Sequence, residues 1–207
     1  MQQIVKEAGF DEVFDSQRIF RVIMEAMSYP GRIKNLGEHC FKEVADGLNP
    51  YSLLILKTLC DNCVKFGISS KKSDEWKRYI EINTGAGFDK EEAADFVLFE
   101  GNDYSCAYER LNKGTSEFPE NSATAIISVE RIYTGINGRV DENGMRVRIK
   151  GPGVKSENLF ALEGLDLNYL TALPEINSEF PIGIDVMLID WSGNIVCIPR
   201  TSKVEVA

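Results

Sequence analysis

The sequence predicts an α/β fold built on a mixed β-sheet, and three observations predict it. Helix-like and strand-like patterns alternate along most of the chain, which favours layers of helix packed on sheet. A hairpin pattern near the C-terminus adds antiparallel pairing to a sheet otherwise fed by crossovers. Apolar residues make up 43% of 207 residues, enough for one packed domain spanning 1–207.

The clearest helix is predicted over 16–28, where Ile19, Val22, Ile23, Ala26 and Met27 recur three and four apart as one apolar stripe. Asp15 or Ser16 is the expected cap, and Pro30-Gly31 ends the segment. A second helix starts at Asn49-Pro50, a capping residue followed by a residue pre-set for the first helical position. Its run of Leu53, Leu54, Leu56, Leu59, Cys60 and Cys63 predicts deep burial, with both thiols on one face. Residues 64–68 alternate like a strand. A third helix opens at Ser73-Asp74-Glu75 and stops at Gly85. Strands are expected at 96–99 and 123–129, with a short helix around 103–111 between them. The stretch 131–144 is a glycine-punctuated loop, and 145–150 alternates strictly. The segment 178–200 reads as the hairpin, turning at Trp191-Ser192-Gly193-Asn194.

Charge narrows the possible partners. With 23 Lys+Arg against 32 Asp+Glu, the net charge of -9 repels nucleic acid, anionic lipid and nucleotide phosphates, so any anion site must be local. The first fifteen residues lack the basic start and apolar stretch of a secretory signal, and nothing along the chain is apolar for long enough to span a membrane. Five scattered cysteines (Cys40, Cys60, Cys63, Cys106 and Cys197) fit reduced thiols in a cytoplasm.

Most catalytic constellations are missing from the sequence. Cys60-Asp61-Asn62-Cys63 is a CxxC, but a zinc site needs four ligands, and His39 is the single histidine. The pair is therefore expected to be structural, and no metal site is predicted. His39 has no nucleophile elbow near it and reads as a surface residue. There is no P-loop, and Gly85-Ala86-Gly87 follows a helix rather than a strand, the wrong context for a dinucleotide fingerprint.

One strand stands apart from the acidic background. Period two puts Met145, Val147 and Ile149 on one face and Arg146, Arg148 and Lys150 on the other. The strand runs into Gly151-Pro152-Gly153, whose glycines permit close backbone approach. This gives a candidate anion or partner contact formed by Arg146, Arg148, Lys150, Gly151 and Gly153. The simpler reading is a solubilising strand face that also deters edge pairing. Arg200, after Ile198-Pro199, is a candidate for a structural ion pair with Asp185 or Glu205.

Four blocks in order resemble the PhnH family. The longest is Phe180-Pro181-Ile182-Gly183-Ile184-Asp185, a strand, then Ile198-Pro199-Arg200-Thr201-Ser202 with Val204. Before it come Phe20-Arg21 with Ala26-Met27-Ser28-Tyr29-Pro30-Gly31, then Gly114-Thr115 with Pro119-Glu120 and Ala123-Thr124, then Gly151-Pro152-Gly153. No block falls between 32 and 110.

The resemblance implies a subunit of the carbon–phosphorus lyase machinery, acting with PhnG, PhnI and PhnJ, with PhnL and PhnK as further candidates. That machinery couples an alkylphosphonate to the ribose of ATP before the carbon–phosphorus bond is cleaved. The resemblance also implies a three-layer sandwich similar to the large domain of pyridoxal-phosphate-dependent transferases, without the cofactor, and a homodimer when isolated. It carries over no catalytic residue. Two other readings stand beside a non-catalytic subunit. One is direct binding of ATP or phosphonate through the cationic strand. The other is a residual pyridoxal-phosphate enzyme, for which no Schiff-base lysine stands out.

Overall fold

The computed structural model describes residues 10–38, 44–134 and 144–206. Helix α1 spans Phe14–Ser28 and buries Ile19, Ile23 and Ala26, the middle of the predicted stripe. The N-cap position is Val13 rather than Asp15 or Ser16, with no side-chain cap of its own. Asp15 accepts from Asp11 N–H at 3.0 Å, and upstream Asp11 Oδ1 accepts from Val13 N–H at 2.9 Å and Phe14 N–H at 2.8 Å. The Phe14 and Val13 amides also lower the pKa of Asp11. Strand β1 (Lys34–Asn35) follows the Pro30-Gly31 turn. Helix α2 (Pro50–Leu59) is capped by Asn49, whose side chain accepts from Tyr51 N–H. Six consecutive α2 residues, Tyr51 to Leu56, are buried, as a helix enclosed by the core requires.

Strand β2 (Lys65–Ser69) leads to helix α3 (Ser73–Thr84), which Gly85 ends in a left-handed conformation at φ 77°. Then come β3 (Gly87–Phe88), β4 (Phe96–Glu100), β5 (Thr124–Ser128), β6 (Arg131–Tyr133), β7 (Met145–Lys150) and β8 (Asn158–Glu163). Helix α4 (Asn168–Ile176), β9 (Asp185–Ile189), β10 (Asn194–Ile198) and β11 (Lys203–Val206) complete the order.

The larger sheet runs β1-β10-β9-β5-β4-β2-β3. Strands β3, β2, β4, β5 and β9 pair in parallel, whereas β10 and β1 are antiparallel additions, so the sheet is mixed. One face packs under α1, α2 and α3 through Phe66, Ile68, Leu98, Ile126, Met187 and Ile189. The other face is covered by α4 and by a second, antiparallel sheet ordered β11-β7-β8-β6. Val147, Ile149, Phe160 and Leu162 give that second sheet one apolar face, which meets Val97, Phe99, Ala125 and Ile127 of the larger sheet. Among the described residues, no helix is long and apolar enough to cross a membrane.

Three local expectations need correction. The helix expected around 103–111 is a single 3-10 turn at Tyr108–Arg110, where the buried Tyr108 ring packs edge-on to Phe99 and Tyr169. Arg131–Tyr133, in the stretch read as loop, pairs with β8 as a strand. Helix α2 stops at Leu59, so Cys60 and Cys63 do not share a helical face. Cys60 is buried and Cys63 exposed, because an Asx turn (Cys63 N–H to Asp61 Oδ1, 2.8 Å) swings the chain outward.

Candidate functional site

The cationic face of β7 lies on the outer side of the smaller sheet. Strand β7 is an inner strand, flanked by β11 and β8, so edge protection is not the reason for its charges. Glu205 of β11 sits directly opposite Arg148. Arg148 reaches Glu205 at 3.3 Å and Glu157 at 3.4 Å, and Lys150 reaches the same two carboxylates at 3.7 and 4.0 Å. Arg146 occupies the exposed start of the row. Cross-strand carboxylates thus answer the stripe that the sequence shows as bare positive charge, and an incoming anion must compete with both.

The Gly151-Pro152-Gly153 turn uses its glycines for contact with the chain itself. Gly153 has φ 80°, and a Cβ there would lie 2.3 Å from the Ser28 carbonyl oxygen. A Cβ on Gly151 would meet the Thr201 carbonyl oxygen at 3.0 Å. The close approach expected for a ligand is taken by the end of α1 and by the segment after β10.

Arg200 sits at a more enclosed corner. Its Nη2 donates to Asp185 Oδ2 at 2.6 Å, its Nε donates to Oδ1 at 3.3 Å, and its own backbone N–H donates to that Oδ1 at 2.8 Å. The two side chains are only 17% and 18% exposed. The other candidate partner, Glu205, lies on β11 with Arg148 instead, because strand register places it there. Arg200 Nη1 then donates to two carbonyl oxygens, Pro119 at 2.8 Å and Pro181 at 3.5 Å. Nearby, Gly183 N–H donates to Lys113 O at 2.9 Å. The Asn177 side chain accepts from Ile184 N–H at 2.8 Å and donates to Ile184 O at 3.2 Å. A Cβ on Gly183 (φ 148°) would come within 2.4 Å of that Asn177 oxygen.

Other places suited to chemistry are sparse. Ligands of open α/β sheets bind beyond the C-terminal ends of the strands. Here that region holds a crevice of about 100 Å³ lined by Glu100, Asn102, Ser128, Glu130 and Trp191, among others, with no cation in its lining. Two carboxylates there oppose a phosphate. A larger open cleft of about 350 Å³ between α4 and the 104–113 segment mixes Lys113 with Glu109 and Glu175. Burial raises the Cys60 thiol to about 12, with Asp95 and Asp61 adding to the effect, so it stays protonated and inert. Among the described residues, no group of three or more His, Cys, Asp and Glu could hold a metal. His39 and Cys40 lie outside the described residues.

The four sequence blocks meet in space around residues 197–202. Gly31 N–H donates to Cys197 O at 3.3 Å, Gly151 faces Thr201, Gly153 abuts Ser28, and Arg200 joins Asp185 to Pro119 and Pro181. A model of the bacterial phosphonate metabolism protein PhnH matches residues 8–205. This chain belongs to the PhnH family. A putative C-P lyase subunit protein, HtxG of Stutzerimonas stutzeri, is 34% identical over 191 residues, covering 91% of this chain and 85% of the relative. The PhnH subunit of the alpha-D-ribose 1-methylphosphonate 5-triphosphate synthase of Rhizobium meliloti (strain 1021) is 30% identical over 205 residues, covering 98% and 96%. The PhnH blocks therefore converge on a structural junction that sequence spacing could not reveal. Gly31 and Cys197 are 166 residues apart and Pro119 and Arg200 are 81 apart, and only the fold brings each pair together.

Proposed function

We propose that this chain is a non-catalytic subunit of the carbon–phosphorus lyase core, assisting formation of ribose 1-alkylphosphonate 5-triphosphate from ATP and an alkylphosphonate. It works in the cytoplasm as one PhnH-like domain beside PhnG, PhnI and PhnJ, with PhnL and PhnK as further partners, and forms a dimer in isolation. Its layered fold is that of a transferase large domain without pyridoxal phosphate. The observation that carries this reading is its relation, over nearly the whole chain, to two proteins that are themselves named as subunits. The site geometry agrees with it. Arg148 and Lys150 of β7 are met by Glu157 and Glu205, and the crevice at the strand ends is acidic. Neither arrangement is ready to receive a triphosphate.

Reconstitution tests the proposal. Adenine release from ATP in the presence of methylphosphonate is expected when this chain is mixed with the other subunits, and not from this chain alone. Full activity of the mixture without this chain, or turnover by this chain alone, would overturn the reading.

A further inference from the structure

Two large aromatic side chains stand out of the Arg200 corner. Phe118 is 54% exposed and Phe180 is 75% exposed. Each immediately precedes the proline whose carbonyl oxygen accepts from Arg200 Nη1. The two Phe-Pro units are therefore neighbours, held by one guanidinium that Asp185 fixes from the other side.

Both loops are tightly tied. Ile182 N–H donates to Glu179 O at 2.7 Å, closing the turn that carries Phe180. Phe118 N–H donates to Thr115 Oγ1 at 3.0 Å, Thr115 N–H returns to Phe118 O at 3.2 Å, and Asn112 Nδ2 bridges to Asn121 O at 2.7 Å. Exposed aromatics on such ordered loops lose little entropy when covered, which is the property of an interface anchor. Chain solubility alone gives no reason to hold two phenylalanines in water at one rigid corner.

We propose that Phe118 and Phe180 form a two-point docking surface for a different subunit of the assembly, one presenting apolar pockets rimmed by basic side chains. This rests on the function proposed above. The choice of occupant follows from charge. Exposed Glu117, Glu120 and Glu179 flank the two phenylalanines in sequence, while the nearby Arg200 is already neutralised by Asp185. In a two-fold contact between identical copies the same patch meets itself, bringing these carboxylates together. A basic rim on a different chain removes that repulsion and steers association.

The test uses the full chain with the remaining subunits of the assembly, co-expressed and purified without it. Binding is measured at two salt concentrations for the natural protein, for a Phe118→Ala/Phe180→Ala variant, and for a Glu117→Lys/Glu120→Lys/Glu179→Lys variant. Melting temperature and the mass of each protein alone are recorded in parallel. The aromatic variant is expected to keep its melting temperature and its own mass, and to bind at least roughly tenfold more weakly, as truncated aromatic anchors do. The charge variant is expected to associate more slowly and to lose the salt sensitivity of the natural protein. Natural affinity in both variants would overturn the docking surface while leaving the proposed function intact. Altered mass of the aromatic variant alone, with unchanged affinity for the other subunits, would assign the patch to a second copy and also overturn it. Failure of the natural protein to bind the other subunits would bring down the proposed function and this surface with it.

Discussion

Two regions of the molecule pair arginine with carboxylate, and they differ in almost every respect that sets energy. At the Arg200 corner one guanidinium meets one carboxylate in a forked contact, both side chains are less than a fifth exposed, and the remaining donor serves two backbone carbonyls. On β7, Arg148 and Lys150 share Glu157 and Glu205 at 3.3 to 4.0 Å, with side chains 36% to 53% exposed. Geometry, more than residue type, decides the consequence. The half-buried fork ties the segment before β9 and the end of β10 to Pro119, 81 residues from Arg200, whereas the exposed ladder balances charge on a surface that water and salt already screen.

The largest expected effect comes from breaking the more enclosed side. Arg200→Ala takes the guanidinium from Asp185 in a mostly enclosed site and leaves it only the backbone N–H of residue 200; breaking a buried pair typically costs about 3–5 kcal/mol. For a chain of this size that corresponds to a fall in melting temperature of roughly 6–20 °C, readable by calorimetry. A melting temperature within a degree or two of the natural protein would refute the structural role. Arg200→Lys sharpens the point. It keeps the charge but cannot hold the carboxylate fork and the two carbonyls together, so it should melt between the natural protein and Arg200→Ala.

On the exposed side, Arg148→Glu should change stability by no more than about 1 kcal/mol, since exposed pairs contribute little. It places a third carboxylate beside Glu157 and Glu205, so the change should shrink as salt is added. A loss comparable to that of Arg200→Ala, insensitive to salt, would mean that the two regions do not differ as described.

The two thiols of the CxxC repeat the contrast on a small scale. Cys60 is buried and its pKa is raised to about 12 mainly by desolvation, whereas Cys63 is exposed. A raised folded value means that whatever stability this thiol contributes is fully present below the ordinary thiol range and is lost as pH climbs toward 12. In the folded protein at neutral pH, an alkylating reagent should mark Cys63 and Cys106 and spare Cys60 and Cys197, mapped by peptide mass. Equal labelling of Cys60 and Cys63 would show that the core does not enclose the former.

Local signals made much of this fold readable. Asn49-Pro50, Gly85, the α1 stripe and the final hairpin mark their elements through caps, stops and periodicity, which act over a few residues. Helix α4 was not anticipated, because Pro174 lies inside it, although Leu167, Leu170, Leu173 and Ile176 recur at threefold spacing and offered the clue. The weakness of β6, β8 and β11 as sequence patterns has a similar origin, since each is short or unevenly apolar and depends on its neighbours in the second sheet. Strand β7 was legible as an element, and its charges were not legible as a site: their partners lie 57 residues away in Glu205 and across a turn in Glu157. The same limit applies to Arg200. The sequence offered Asp185 and Glu205 equally, and only register separates them.

The function proposed above has this PhnH-family chain work through association, from a hydrogen-bonded corner that presents exposed aromatics. Size-exclusion chromatography with light scattering, on the chain co-expressed with the other subunits, tests it most directly. The chain is expected to elute within a single stoichiometric assembly of mass well above its own. Quantitative elution of the chain apart from the other subunits, across a range of concentrations and at low salt, would contradict it.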